Sequence, residues 1–460
     1  MPQTSRISVE EFTNGLRVDT GAWMFEHHAP RGGACTAIVR VRGTSGNLLN
    51  APITGAIRCL KPDGSTQLYR ESFDTKATLR HELSPSGALA VIAEGVFRDE
   101  AGQNVPVGFR RRTEYHDFGL IWSTLEIMSD CGCPDVIELC GASVVLRRGM
   151  THCAVRLHPT QAGGADLLGA AAEFTLVPNT TAFLTRFTPL QMLCVDRAGE
   201  GMELFPGSDL AAWDYACKSD LGLGFYRVAE IPDGTQLDWM PYCMSQRRAT
   251  TTLQGKIALR IGLALPALNS RVTAPQITAA AGDDALRTVA ASGAKVVCCP
   301  VDFGSDDAKL RRVIDAAHGH GLKIVAKISA HELHPHAPEF ARHGNEWMHM
   351  AAPSLGILRS WKGHEPVGAL MCLQSGWLDF LKRQIDAQLS ALPWDGVCLD
   401  AATPTPCCHP AHGRAFHSDR EGLLQLLAYC RQRTGAEGVV LTDGAARSFA
   451  VENCVDGMAR

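Results

Sequence analysis

The chain has 460 residues, enough for two or three domains with sizeable cores, and its 45% hydrophobic and 20% charged residues are those of an ordinary globular protein. Its 44 basic and 48 acidic side chains leave a net charge of -4, which offers no surface for a polyanion and sets nucleic acid aside as a partner. Met1-Pro2-Gln3-Thr4-Ser5-Arg6 lacks the basic-then-apolar pattern of a signal peptide, and no apolar run reaches the roughly 18 residues of a membrane span. A cytoplasmic protein without membrane partners is expected. The 17 cysteines are odd in number and scattered through apolar segments, which suits reduced core residues better than a disulfide framework. Cys131-Gly132-Cys133 with Cys140 and Cys153 lacks zinc-site spacing.

From Ser8 to about Arg248 short alternating segments are separated by Gly, Pro, Asn and Asp. Cys35–Arg42, Ala88–Ala93, Val144–Arg147 and Phe174–Val177 are examples, with turns such as Lys61-Pro62-Asp63-Gly64 between them. This rhythm predicts a large antiparallel β-sandwich over residues 1–252. Asp209–Ala216 is the clearest helical exception. His27, His28, Trp122 and Trp239 are candidates for a carbohydrate groove, with packing in the core as the competing reading. Thr250-Thr251-Thr252 and Gly255 mark the predicted boundary.

Over residues 253–460 strands alternate with helices. Ile257–Leu263 reads as the first strand, Lys295–Asp302 as the second and Leu322–Ile328 as the third. Asp284–Ser292 is predicted helical. Ala308–His320 carries Leu310, Val313, Ile314 and Ala317 at the spacing of a helix laid on a sheet. A loop with His331-Glu332-Leu333-His334-Pro335-His336 follows, then a helix over Trp377–Leu392. Val397-Cys398-Leu399 is a buried fourth strand, introduced by Asp395-Gly396 and ending on Asp400. A helix over Gly422–Arg433, a fifth strand over Gly438–Asp443 and a sixth beginning at Asn453 complete the series. Six such strands predict a (β/α)8-type barrel lacking its last two units, either a fragment or a ring closed by something else. An open doubly wound sheet fits less well, because Leu265-Pro266-Ala267-Leu268-Asn269 stands where a Gly-rich phosphate loop belongs.

A strand-end carboxylate in such a barrel points into the active-site bowl, so Asp400 is the first candidate for chemistry, against the plain reading that it caps a turn. The run from His318 to Asp400 resembles a family of barrel glycoside hydrolases and hydrolase-like proteins with an N-terminal β-sandwich, within the α-galactosidase and α-amylase-like clans. The matching pieces are Asp315-Ala316-Ala317-His318-Gly319-His320-Gly321-Leu322-Lys323, His336-Ala337-Pro338-Glu339-Phe340, and Asp395-Gly396-Val397-Cys398-Leu399-Asp400 followed by Cys407-Cys408-His409-Pro410-Ala411-His412-Gly413. By that resemblance Asp400 is the nucleophile of a retaining mechanism. The resemblance places the acid/base at the end of the sixth strand, on Asp456, with a further carboxylate expected where Met458 stands.

Glycoside hydrolysis needs one ionised carboxylate and one protonated carboxyl. Asp302, Asp443 and Glu452 lie near predicted strand ends and are substitutes for either role. His331, Glu332, His334 and His336 crowd the loop above the bowl as sugar contacts, a solvated loop or a metal site; Asp302 and Asp443 join the substrate-binding set. Trp347 and Trp361 are stacking platforms or core. Cys407, Cys408, His409 and His412 are expected to shape the loop after Asp400, with a metal site there as the competing reading.

The expected function is a retaining glycoside hydrolase acting on a carbohydrate substrate, with no cofactor and no dedicated metal. The alternatives are a degenerate, non-catalytic carbohydrate-binding protein and a metal-dependent barrel hydrolase. Sugar, linkage and oligomeric state are not encoded in any motif found.

Overall fold

The computed structural model describes residues 7–41, 46–84, 88–116, 119–157, 171–175, 181–183, 189–207, 225–240, 242–243, 250–266, 272–301, 306–352, 355–356, 358–362, 365–400, 402, 404–407, 409–412, 417–443 and 448–459. The chain divides into two compact units, Gln3–Pro266 and Ala267–Arg460. The division therefore falls after Pro266 rather than after residue 252, because Thr251–Ala264 pairs antiparallel with Leu120–Leu146. Ile257–Leu263 is not the first strand of a barrel. Among the described residues no helix is long and apolar enough to cross a membrane.

The first unit is antiparallel throughout its described strands. Ser8–Phe12, Gly15–Asp19, Trp23–His28 and Ala34–Arg40 form a four-stranded meander. Along Trp23–His28, Trp23, Phe25 and His27 turn inward while Met24, Glu26 and His28 are half-buried, the period of two that gives a sheet one buried face. A larger sheet is built on Leu120–Leu146. The first half of that strand pairs with Asn104–Tyr115 and Thr251–Ala264, the second with Leu49–Leu60 and Gly234–Met240. Val18, Phe25 and Ile38 of the meander share one apolar core with Ile57, Val91, Phe109, Leu125, Val144 and Leu259 of the larger sheet. This is the layered arrangement of the expected sandwich.

Leu120–Leu146 changes direction at bulges between Ser129 and Val136, where Gly132 (φ 74°) and Asp135 (φ 57°) are left-handed. The Cys131-Gly132-Cys133 piece is this bend: Cys131 is exposed, and Cys133 Sγ lies 3.8 Å from Cys59 Sγ. His27, Trp122 and Trp239 are core rather than groove, being 2%, 5% and 1% exposed. His27 hydrogen-bonds the Gly33 carbonyl and the Tyr115 hydroxyl. The predicted helix over Asp209–Ala216 lies outside the described residues.

The second unit is a ring of six parallel strands: β1 (Val272–Ala274), β2 (Val296–Pro300), β3 (Lys323–Ser329), β4 (Gly396–Asp400), β5 (Val439–Asp443) and β6 (Gly457–Ala459). Neighbours follow chain order from β2 to β6, and β6 pairs β1. Beyond β1, Cys298 N–H donates to Pro275 O and Ile277 N–H to Cys298 O, joining this segment to β2 and closing the ring. An eight-stranded ring short of two units would leave β6 and β1 apart. They pair directly here, and the ring of described residues has six strands.

Alternate residues of every strand point inward and meet in one cluster: Ala274, Val296, Cys298, Val325, Cys398, Val439, Leu441 and Ala459. The other face of the strands is also buried, and the unit carries helices α1 (Asp283–Ala291), α2 (Asp307–Gly319), α3 (Pro338–Trp347), α4 (Trp377–Ala391), α5 (Arg420–Thr434) and the short α6 (Phe449–Glu452), with α2 packed on β3 and α5 on β4 and β5. Both faces being covered explains why β2 to β5 read as unbroken apolar runs. Leu310, Val313, Ile314 and Ala317 of α2 are buried, as their spacing predicts. Leu381 and Ile385 of α4, and Leu423 and Leu427 of α5, are equally inaccessible, each contributing roughly 1.5–3 kcal/mol of apolar burial. Helix α3 lies in the stretch expected to be loop.

Candidate active site

The inward face that supplies the ring's apolar core also supplies its polar mouth. Lys327 follows Val325 by two on β3, Asp400 follows Cys398 by two on β4, and Asp443 follows Leu441 by two on β5, so all three project from the inner face. Asp400 and Asp443 are register partners at the C-terminal ends of adjacent strands. Lys327 Nζ donates to Asp443 Oδ2, lies 3.6 Å from Asp400 Oδ2 and donates to Gln276 Oε1 at 2.9 Å. The lysine side chain is 8% exposed, whereas Asp400 is 45% and Asp443 35% exposed. A nearly buried ammonium thus anchors two carboxylates open to solution. Burial opposes the charge on Lys327, but the hydrogen bond to Asp443 and the charges of Asp400 and Asp443 outweigh it and raise its pKa.

Asp456 belongs to the opposite edge. The strand it was expected to end begins only at Gly457, so Asp456 sits in the turn before β6. Its Oδ2 accepts from Val440 N at 2.9 Å and from Arg431 at 2.7 Å, and its backbone pairs with Val440 O and Val272 N. Val440 lies three residues below Asp443, roughly 10 Å at about 3.3 Å per residue. Asp456 therefore does not face Asp400. It duplicates Asp395, whose Oδ2 accepts from Ile324 N at 2.8 Å and His318 at 2.9 Å before β4 begins. In both turns the following glycine is pressed on a neighbouring strand: an added Cβ would overlap Val439 O at Gly396 and Val272 O at Gly457.

The histidine loop separates rather than converging. His331 is buried; His334 and His336 are exposed, their rings 5.3 Å apart, and Glu332 is half-buried with its N–H on Ser329 Oγ. Trp347 is 5% exposed and packs against His343, Trp377 and Phe380, so it is core and not a stacking platform. Glu452, in α6, is buried at 8% exposure. Asp302 and the Trp361 side chain lie outside the described residues.

Beyond the C-terminal ends of β3 and β4, Asp419 is fully buried and accepts from His331 Nε2 at 2.8 Å and His349 Nε2 at 3.1 Å through Oδ2, and from Thr405 N at 2.6 Å through Oδ1. Burial alone would push this carboxyl up; the charges and hydrogen bonds of His331 and His349 overcome it and hold it well below the usual carboxylate range. Burial likewise works to lower His349, yet hydrogen bonds to Asp419 and Cys407 and their charges raise it to about 9. Next to His349 stand the buried thiols of Cys372 and Cys407. Of these residues the sequence flagged only His331 and Cys407. Asp419 was legible as an acidic residue at the start of a helix, but its partners come from remote segments with no fixed spacing.

No family model matches this chain, and no curated protein matches it. Among solved structures it is similar to the galactosidase domain of the α-galactosidase-sucrose kinase AgaSK (10% identity, TM-score 0.47, covering 98% of this chain and 74% of that one). It is also similar to the GH36 α-galactosidase AgaB from Geobacillus stearothermophilus (11% identity, TM-score 0.44, 98% and 74%) and to the α-galactosidase from Lactobacillus brevis (9% identity, TM-score 0.42, 99% and 72%).

Proposed function

We propose that the second unit is a glycoside hydrolase in which Asp400 is the nucleophile. The observation that carries this reading is the solvent-open Asp400 carboxylate at a strand's C-terminal end, beside the buried Lys327 ammonium. The Asp395–Asp400 piece and its sequence resemblance to sugar hydrolases support the same assignment. Asp400 attacks the anomeric carbon and forms a glycosyl-enzyme ester as the leaving oxygen takes a proton; water then cleaves the ester. Lys327 keeps the Asp400 carboxylate oriented. Asp443 bonds the same ammonium from the adjacent strand. Asp443 is therefore a positioning group for Lys327, and the proton donor is assigned to Asp302 or Glu332, which follow β2 and β3. His334 and His336, exposed on the β3 loop, are proposed sugar contacts.

A screen of aryl glycosides, headed by α-galactosides because of the resemblance, tests this. Wild type is expected to turn over one of them and Asp400→Asn to lose that activity, with azide restoring it in Asp400→Ala as a glycosyl azide. Hydrolysis undiminished in Asp400→Asn removes Asp400 as nucleophile. A non-catalytic sugar-binding protein is the second reading, favoured by the placement of Asp456 at the far edge. Saturable glycan binding by wild type, without hydrolysis of any substrate, supports that instead.

A further inference from the structure

We propose that His349, Cys372 and Cys407 bind a zinc(II) ion, with His412 completing the coordination and Asp419 and the Glu346 carbonyl as the outer hydrogen-bond partners. One ligand atom from each of His349, Cys372 and Cys407 lies within 4.8 Å of the other two, and all three residues are buried. A tetrahedral zinc with bonds of about 2.3 Å to sulfur and 2.0–2.1 Å to nitrogen spaces such atoms roughly 3.5–3.8 Å apart. Closing this set of three requires up to about 1 Å of side-chain movement, and His412, beyond 4.8 Å of His349 and Cys372, has to move further to join it. His412 Nδ1 already lies 3.5 Å from Cys407 Sγ, the length of one such edge, although it stands outside the mutual set of three.

The backbone brings these ligands together through two short ladders. His349 N–H donates to Leu370 O and Cys372 N–H to Trp347 O, which places His349 and Cys372 side by side. Pro406–Cys407 pairs with His417–Ser418, and Asp419 N–H donates to Thr405 O, which sets Cys407 beside Asp419. The orientation of the rings is also fixed. His349 Nε2 is engaged by Asp419 Oδ2 and His412 Nε2 by the Glu346 carbonyl. Carboxylate or carbonyl behind histidine is the usual second layer of a zinc site. Two thiols and two imidazoles suit zinc over calcium or magnesium. The ion would tie the end of α3, the segment around Cys372 and the loop after β4 together, a structural role distinct from the Asp400 mouth.

The full chain, purified without a histidine tag, is tested by elemental analysis and by exchange with cobalt(II). The expected result is about one zinc per chain and, on cobalt exchange, a thiolate-to-cobalt charge-transfer band with the intense visible bands of tetrahedral cobalt. Cys372→Ser and Cys407→Ser should each lose most of the zinc and the charge-transfer band, while Cys131→Ser, at an exposed site, keeps both. The cobalt spectrum of wild type stands even if the variants fold poorly. Less than about a tenth of an equivalent of zinc after refolding with zinc, with no charge-transfer band, overturns the proposal. So does a Cys372–Cys407 disulfide in freshly purified wild type, or zinc retained in both serine variants.

Discussion

The two edges of the parallel ring carry the same residue type in opposite employment. At the edge where strands begin, Asp395 and Asp456 each turn the chain, accept the N–H of an adjacent strand and pair with a basic side chain, His318 or Arg431. At the edge where strands end, the Asp400 and Asp443 carboxylates accept no backbone N–H among the described contacts; they meet Lys327 and open to solvent. An aspartate that caps backbone is already spent on structure, whereas one held only by a side-chain ammonium retains oxygen lone pairs for a substrate. Position along the strand decides which an aspartate becomes.

The sharpest way to break this contrast is by rate. Asp400→Asn is expected to lower kcat by about 10³-fold or more on whichever glycoside is turned over, with Asp456→Asn close to wild type. Equal losses in steady-state assays would end the distinction between the edges. Next in size, Gly396→Ala and Gly457→Ala should each destabilise by about 3 kcal/mol in urea unfolding, because the new methyl is driven into a carbonyl of the adjacent strand. A change below about 0.5 kcal/mol in either would mean that the two turns are looser than their geometry.

Acid sensitivity must be assigned before any loss of activity at low pH is credited to the mouth, and the first unit contains its own acid-labile group. Burial, with His28 and Arg111 adding to it against the Gly33 hydrogen bond, lowers His27 from 6.5 to about 4. The unfolded chain therefore takes up a proton there at higher pH than the folded one. Stability is full above about pH 6.5 and falls by about 3 kcal/mol as pH drops to 4. Urea midpoints measured from pH 7 to 4 should show this slope in wild type and lose it in His27→Gln. Smallest, Asp395→Ala and Asp456→Ala should cost about 2 kcal/mol each, the worth of a charge-assisted hydrogen bond left unmade, and their double variant should add nearly fully. Equilibrium unfolding of the three variants reads both quantities.

Much of this molecule is legible in its sequence. The stripe of Leu310, Val313, Ile314 and Ala317 and the apolar runs of β2 to β5 depend on neighbours in sequence, and they formed as predicted. Ile257–Leu263 misled because an apolar segment fits either sheet type. Its flanking alternation, with Ala258 exposed, Leu259 buried, Arg260 half-buried and Ile261 buried, is the mark of an antiparallel strand. The true β1 has three residues, too few for any periodicity. Asp456 lies at the opposite end of its strand from the one expected, although Asp456-Gly457 repeats Asp395-Gly396, the turn that admits β4. His349 and Cys372 carry no local signal that joins them to Cys407 and Asp419, because the cluster's geometry is set by pairing between distant segments.

The bent strand Leu120–Leu146 has a consequence for biosynthesis. One of its flanks is Thr251–Ala264, the last strand of its unit to leave the ribosome. The first half of the protein must wait with an open hydrogen-bonding edge until that partner is translated, so this stretch of the nascent chain is where chaperone protection would matter most.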